Sequence, residues 1–333
     1  MKKDLQGYKT LLDLRETEIA IKFVKDEFEE ELAKSLNLLR VSAPIFVREN
    51  SGLNDNLNGF EKPVSFTAVN VSDKLEIVQS LAKWKRYALK KYNFSVNSGL
   101  YTDMNAIRPF EELDNIHSLY VDQWDWEKVI SKENRNINYL KSVVKKIYKV
   151  LLNLEQDVYK KYHMITPVLP KDIYFINSLD LEAMYPNLTP KERENAICKE
   201  KKAVFLIGIG DELKNGSPHD GRSPDYDDWS LNGDILLWYE PLEIAFEISS
   251  MGIRVDRDAM LYQLEKRNAL DRLALPYHKA LIDGELPLTI GGGIGQSRLC
   301  MFFLKKVHIG EVQVSEWSKE EIKRMKDAGV ELL

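Results

Sequence analysis

This 333-residue chain has glycines, arginines and carboxylates at positions where they could bind a phosphorylated substrate. The segment Gly291–Leu304 has four glycines and then Arg298, followed by an apolar run. We interpret it as a glycine turn leading into a buried helix, because backbone without Cβ atoms can approach a charged ligand closely. The helix start would offer free N–H groups, and Arg298 could stack on a base or grip a phosphate. The alternative is a glycine-rich hairpin that simply precedes a core helix, and the spacing fits neither the Walker nor the dinucleotide fingerprint.

Further polar residues fall on segments that resemble strands. Gln123 and Asp125 have the same parity in an alternating segment, so they would share one face of a strand. Asp234 and Glu247 belong to two segments that we expect to pair, and two carboxylates beside phosphates suit Mg²⁺. Residues 224–229 add three acids in a predicted loop. The alternatives are an ordinary solvated acidic loop and surface ion pairs.

The elements that would position these residues follow from the hydrophobic pattern. Helical spacing predicts four helices, over residues 17–36, 81–92, 135–162 and 258–270. Alternating or apolar runs predict strands over 38–47, 64–71, 75–79, 117–127, 203–209, 235–238 and 245–248. Pro44 would place the first of these strands at a sheet edge. Because no βαβ rhythm occurs, we predict an α+β fold with a mostly antiparallel sheet.

Composition narrows the class of protein. The net charge is −5 and the pI about 5.7, which argues against a large polyanionic partner. The two cysteines, Cys198 and Cys300, are too few for a disulfide framework and too far apart for a zinc pattern. No run of about 18 apolar residues occurs, so we expect no membrane span. The N-terminal residues have no apolar core typical of a secretory signal, which predicts a cytoplasmic protein.

In this order the motifs resemble those of class II aminoacyl-tRNA synthetases. The helix and the strand with Pro44 resemble motif 1, Arg108 and the strand from His117 resemble motif 2, and Gly291–Leu304 resembles motif 3. From Glu16 onward the chain is more closely similar to the ammonia-dependent asparagine synthetases, the AsnA-type aspartate–ammonia ligases. The blocks that carry this likeness are 55–57, 79–86, 120–127, 224–229, 232–234 and 247–254. The connection 228–232 is shorter than in some members.

The resemblance implies one class II synthetase-like catalytic domain over residues 1–333, without an anticodon-binding domain, and a homodimer. It implies L-aspartate, ammonia and ATP as substrates, Mg²⁺ as a cofactor, and no nucleic-acid or membrane partner. The family reaction activates the β-carboxylate as a β-aspartyl-adenylate, and ammonia then gives L-asparagine with release of AMP and pyrophosphate.

The resemblance also implies residue roles. Arg108 would bridge aspartate and the α-phosphate, and Arg298 would stack on adenine or meet the γ-phosphate. His117 and Ser118 would lie at the adenine edge, and Asp234 and Glu247 would hold Mg²⁺. Aspartate recognition would fall to Ser80, Lys85, Gln123, Asp125 and Ser250, with Gln123 also counted among the catalytic residues. Either Asp55 or Asp227 would bind ammonium and take its proton, and the sequence leaves that choice open.

Two other functions stay open from the sequence. A synthetase paralogue would adenylate an amino acid and pass it to tRNA or to a protein amine. A regulatory paralogue would bind nucleotide or asparagine without turnover. The combination of Arg108, Asp234, Glu247 and Arg298 favours an enzyme, because a binding protein needs no full set of magnesium ligands and arginines.

Overall fold

The computed structural model describes Leu5, residues 7–55, Leu57 and residues 61–333. Asn56 of the block 55–57 lies outside these residues, as do residues 1–4, 6 and 58–60. The described residues form an α+β fold, as predicted. The strands are β1 (Leu38–Arg40), β2 (Phe46–Arg48), β3 (Ser65–Ala68), β4 (Val71–Ile77), β5 (Gly99–Ile107), β6 (Tyr120–Val129), β7 (Tyr174–Asn177), β8 (Ala203–Ile207), β9 (Asp227–Tyr239), β10 (Ile244–Arg254) and β11 (Thr289–Gly295).

The described residues also form α-helices, which lie between and around these strands in the chain. They are α1 (Leu14–Leu36), α2 (Ala82–Lys91), α3 (Ile137–Lys161), α4 (Ser178–Met184), α5 (Pro190–Lys201), α6 (Arg257–Lys266), α7 (Pro276–Ile282), α8 (Gln296–Phe303) and α9 (Lys319–Asp327). None of them is long and apolar enough to cross a membrane.

One large sheet organises the molecule. Its eight strands run in the order β1-β5-β6-β11-β10-β9-β8-β7. Only the two edge pairs, β1–β5 and β7–β8, are parallel, and every inner pair is antiparallel. A second sheet has the order β2-β4-β3. The mostly antiparallel sheet predicted from the sequence is therefore confirmed.

The main core lies on one face of the large sheet. Helix α1 begins with a capping box between Asp13 and Glu16, and its buried side chains recur at every fourth position from Ala20. Phe28 of this helix packs against Trp124 of β6, with ring centroids 5.0 Å apart. Because strand side chains alternate, Gln123 and Asp125 point to the opposite face. The core on one face thus fixes which side chains of β6 face the other.

The structure corrects several predicted boundaries. The predicted strand 38–47 is two short strands in different sheets, and Pro44 lies in the irregular segment between them. The predicted hairpin turn near residue 73 lies inside β4, and the chain turns at residues 69–70 instead. The predicted helix 258–270 ends at Lys266, and a 3₁₀ helix, Leu270–Ala274, follows. The strands of the pair near Asp234 are longer than predicted, so β9 includes Asp227 and Asp228 from the predicted acidic loop.

Candidate active site

A cleft of about 430 Å³ lies on the face of the sheet opposite the main core. Strands β6, β10 and β11 supply its floor, and the loop before β9 and the segment after β5 contribute to its walls. It brings together all but one of the residues predicted for the site. Those that line it are Asp55, Ser80, Lys85, Arg108, His117, Ser118, Gln123, Asp125, Asp227, Glu247, Ser250 and Arg298. Asp234 is the exception, and it lies buried behind Arg222, which does line the cleft.

The glycines of Gly291–Gly295 form strand β11 in the middle of the sheet, so the predicted glycine turn is wrong. Their role is steric. A Cβ atom on Gly291 would come within 1.9 Å of a Glu127 carboxylate oxygen, and one on Gly293 within 2.4 Å of the Gln123 side chain. Gly291 and Gly293 therefore lack side chains because those of β6 occupy the space above them. The predicted helix after the glycines is confirmed, and α8 begins at Gln296.

A buried ion pair lies next to the glycines of β11. Nζ of Lys85 donates to the carbonyl oxygen of Gly292 at 3.0 Å and lies 3.1 Å from Oδ2 of Asp125. Burial lowers the pKa of Lys85, and the negative charge of Asp125 opposes that shift. Opposite charges placed side by side beside Gln123 match the two charges of an amino-acid zwitterion.

A second buried network immobilises Arg254. Its guanidinium donates to both carboxylate oxygens of Glu127, at 2.8–3.0 Å, and to Asp227. Thr289 also donates to Glu127, at 2.6 Å. Burial raises the pKa of Asp227, and the charge of Arg254 opposes the rise. Asp227 is thus a partner of a structural arginine.

The carboxylate of Asp55 is in a different situation. Only 1% of the residue is exposed, and neither carboxylate oxygen has a hydrogen-bond partner among the described residues. Burial raises its pKa, whereas the nearby charge of Lys83 lowers it. The nearby hydroxyl of Ser223 also lowers the pKa of Asp55. The hydrogen bond that this hydroxyl donates goes to Asp225, at 2.8 Å, and not to Asp55. An unpartnered buried carboxylate that lines a cleft is suited to bind a small cation.

Asp225 next to it is fully partnered. Its Oδ2 lies 3.2 Å from Nζ of Lys83, 3.0 Å from Nη1 of Arg272 and 2.9 Å from Nε2 of His278. Burial alone would raise the pKa of Asp225, but Lys83 and His278 hold it well below its ordinary value. This cluster ties the loop before β9 to α2, α7 and the 3₁₀ helix.

Two arginines also line the cleft. Arg108 follows β5 and donates to the carbonyl oxygen of Gln79 at 3.4 Å, while its buried Nε has no partner among the described residues. Arg298 on α8 lies 3.6 Å from Glu247. His117 lies 2.8 Å from Asp114, and Ser118 donates to Ser315 at 2.8 Å. Arginines with unused donors at a cleft wall are suited to bind phosphate oxygens.

Asp234 and Glu247 approach each other near these arginines. Burial raises the pKa of Asp234 to about 7 against the opposing charge of Arg222, and the negative charge of Glu247 adds to the rise. Oδ2 of Asp234 accepts a hydrogen bond from Arg222, but its buried Oδ1 has no partner in the described part of the chain. No group of three or more metal-binding side chains occurs among the described residues. Two carboxylates with a free oxygen fit Mg²⁺, because that ion usually takes few protein ligands together with phosphate oxygens.

Sequence reasoning missed several polar lining residues, among them Asp220, Arg222 and Gln313. Arg222 and Asp220 come from the irregular segment before β9, and Gln313 follows α8 and a 3₁₀ helix. Arg254 ends the block 247–254, but its pairing with Glu127 depends on the register between distant strands. No local pattern marks these residues, because only the tertiary fold brings them to the cleft.

The fold is similar to that of solved asparaginyl-tRNA synthetases, in agreement with the class II synthetase-like fold that the motifs implied. Asparaginyl-tRNA synthetase from Pyrococcus horikoshii complexed with asparaginyl-adenylate aligns over 89% of this chain and 68% of its own, with a TM-score of 0.65 and 15% identity. Asparaginyl-tRNA synthetase from Entamoeba histolytica, in complex with the same adenylate, aligns over 90% and 66%, with a TM-score of 0.63 and 12% identity. At these identities the likeness shows the fold.

Sequence comparison defines the family more narrowly. Residues 15–329 match the family AsnA, described as aspartate-ammonia ligase. An aspartate–ammonia ligase from Clostridium tetani is 60% identical over 98% of this chain and 96% of its own length. One from Ruminiclostridium cellulolyticum is 58% identical over 98% of each chain. The chain belongs to the aspartate–ammonia ligase family and is an enzyme, which confirms the resemblance inferred from the motifs.

Proposed function

We propose that this enzyme makes L-asparagine from L-aspartate, ammonia and ATP through a β-aspartyl-adenylate, with release of AMP and pyrophosphate. The observation that carries the proposal is the composition of the cleft. Its lining includes the Lys85–Asp125 pair beside the glycines of β11 and the two arginines Arg108 and Arg298. A zwitterion site beside a phosphate site is what an amino-acid-activating enzyme requires.

The first step activates the substrate carboxylate. Lys85 binds a carboxylate of aspartate and Asp125 its α-ammonium, with Ser80, Gln123 and Ser250 around them. A β-carboxylate oxygen then attacks the α-phosphorus of ATP, and the bond to pyrophosphate breaks. Arg108 stabilises the negative charge that develops on the α-phosphate oxygens. Arg298 stacks on adenine or binds the γ-phosphate, and His117 and Ser118 lie at the adenine edge.

Mg²⁺ would be held by Asp234 and Glu247. When bound there, it would neutralise phosphate charge during nucleotide binding and transfer. Arg222 already neutralises one oxygen of Asp234, so the second oxygen and Glu247 are the available ligands.

The second step needs a group that binds ammonium and takes its proton. The structure favours Asp55 over Asp227, because Asp227 is engaged by Arg254 and Asp55 has no partner among the described residues. Ammonium that has lost one proton to Asp55 becomes ammonia, which attacks the activated acyl carbon. The bond to AMP breaks, and the second proton that leaves the nitrogen passes to the departing phosphate or to water. Asp55 keeps the proton that ammonium has lost.

The same proposal includes a homodimer, a cytoplasmic location and no nucleic-acid partner. The large exposed side chains of Leu39, Ile45 and Phe46 on and between β1 and β2 favour an interface there. Light scattering coupled to size-exclusion chromatography should give twice the mass of 38.5 kDa. A monomer at micromolar concentration would contradict this part.

The decisive experiment measures products with purified enzyme, ATP, Mg²⁺, aspartate and ammonium, leaving out one component at a time. Asparagine and AMP should appear together and only when all components are present. Aspartate-dependent exchange of pyrophosphate into ATP should occur without ammonium. Exchange without asparagine formation would favour a synthetase paralogue with another acceptor, and nucleotide binding without exchange would favour a regulatory protein.

A further inference from the structure

Gln313 is a lining residue whose side-chain amide uses only part of its hydrogen-bonding capacity. The residue follows α8 and the 3₁₀ helix Ile309–Glu311, and only 6% of it is exposed. Its Nε2 donates to Oγ of Ser297 at 3.0 Å and to Oδ1 of Asp122 at 3.4 Å. Its Oε1 is buried and has no partner among the described residues. Gln313 therefore has an unused acceptor at the cleft.

The neighbours of Gln313 fix which way this amide faces. A carboxylate only accepts hydrogen bonds, so Asp122 must face the NH₂ group of the amide. Asp122 is itself held in place, because it accepts from the backbone N–H of Ser297 at 3.0 Å and from Lys25 at 3.1 Å. The amide cannot reverse without turning its carbonyl oxygen toward a carboxylate, which would repel it. Oε1 therefore stays an acceptor.

The position of Gln313 assigns this acceptor to the nucleotide end of the cleft. Ser297, which Gln313 contacts, directly precedes Arg298 on α8. Ser118 is linked to Ser315, two residues after Gln313, by a hydrogen bond of 2.8 Å. These are the residues placed beside the base in the proposed function, whereas Lys85 and Asp125 are placed at aspartate.

We infer that Gln313 selects adenine over 6-oxopurines by accepting a hydrogen bond from the exocyclic 6-amino group. Guanine and hypoxanthine present an oxygen at this position, and two acceptors facing each other would repel. The inference rests on the proposed use of ATP, and it adds the residue that reads the base. A buried acceptor left without a donor penalises the wrong base, so discrimination of about tenfold or more is expected.

The test compares ATP with inosine triphosphate, which differs in having a 6-oxo group. For the full-length enzyme, kcat/KM for pyrophosphate exchange and the Kd from competition binding should both favour ATP by about tenfold or more. In Gln313→Met, which keeps the length of the side chain but lacks the amide, the ratio should fall toward one while the KM for aspartate stays the same. Lys25→Met is the matched control. It removes the partner of Oδ2 of Asp122 but leaves Oδ1 held by the backbone N–H of Ser297 and facing the amide, so its ratio should equal that of the wild type.

A second test changes the nucleotide and uses only the wild-type enzyme. Purine riboside triphosphate has hydrogen in place of the 6-amino group, so it should bind the wild-type enzyme more weakly than ATP and more tightly than inosine triphosphate. Equal binding of ATP and purine riboside triphosphate, or an unchanged ratio in folded Gln313→Met, would overturn the inference. Discrimination in binding without any asparagine formation would refute the proposed function and leave the base-reading role standing.

Discussion

Asp225 and Asp55 are buried carboxylates close enough for the charge of one to raise the pKa of the other. Asp225 accepts from Lys83, Arg272 and His278, whereas Asp55 has no hydrogen-bond partner among the described residues. A buried charge is costly unless it is paired, so the direct partners of Asp225 more than offset its burial, whereas the nearby charge of Lys83 offsets that of Asp55 only in part. The comparison separates a carboxylate that holds the site together from one that is available to a ligand.

Asp55→Asn should have the largest effect on activity. The amide cannot take a proton from ammonium, so asparagine formation should fall about 10²- to 10⁴-fold. Aspartate-dependent pyrophosphate exchange should remain near the wild-type rate, because adenylation does not use this group. An equal loss of exchange and amidation would mean that Asp55 acts in substrate binding or in adenylation.

Asp225→Asn should have the largest effect on stability. It leaves buried cationic side chains without their shared carboxylate, and breaking a buried ion pair on one side costs about 3–5 kcal/mol. Urea unfolding followed by circular dichroism should show this loss in the free energy of unfolding. Asp55→Asn is the matched control, since the same change at an unpartnered carboxylate should leave stability unchanged or raise it. Similar destabilisation in both variants would remove the distinction between the two sites.

The pH dependence of stability should differ between the same two variants. Asp225 has a pKa below its unfolded value of about 3.9, so its contribution is complete above that pH and is lost as the pH falls through the native pKa. Asp55 has a raised pKa, so its ionised form destabilises the protein at neutral pH, and this cost disappears as the pH falls through the raised value.

Thermal unfolding from pH 7 downward would test this difference. On acidification, the difference between the wild type and Asp55→Asn should vanish first. The difference between the wild type and Asp225→Asn should persist to lower pH. The reverse order would contradict the assignment of partners.

Lys83→Met should have a smaller effect on activity than Asp55→Asn. Lys83 lowers the pKa of Asp55, so its removal should raise that pKa further. If Asp55 must be ionised to take a proton, the rising limb of amidation against pH should move to higher pH. The assay should hold the concentration of free ammonia constant, and the pH profile of pyrophosphate exchange serves as the control. A shift in both profiles would indicate a general disturbance of the cleft.

Much of the fold and site followed from local patterns. Parity placed Gln123 and Asp125 on one face of a strand, and the structure puts both at the cleft. The family resemblance supplied most of the other site residues that were predicted correctly, because its motifs mark positions that the fold brings together.

Other features depend on contacts between distant segments. The glycines of β11 suggested a turn, because the sequence does not show that the side chains of Gln123 and Glu127 fill the space above them. Arg222 and Gln313 lie in irregular segments without periodicity. The choice between Asp55 and Asp227 needed the partner of each carboxylate, and the guanidinium of Arg254 lies 27 residues from Asp227 in sequence.

The strand order determines when the cleft can form while the ribosome synthesises the chain. Strand β6 pairs with β11, and about 160 residues separate them in the chain. At about 5–20 residues per second, a ribosome takes roughly 8–30 seconds to produce that stretch. For that time β6 has a free edge, and Lys85 lacks the carbonyl oxygen of Gly292 to which it donates. The cleft is therefore completed only near the end of translation, so a nascent chain that stops before residue 289 cannot bind substrate.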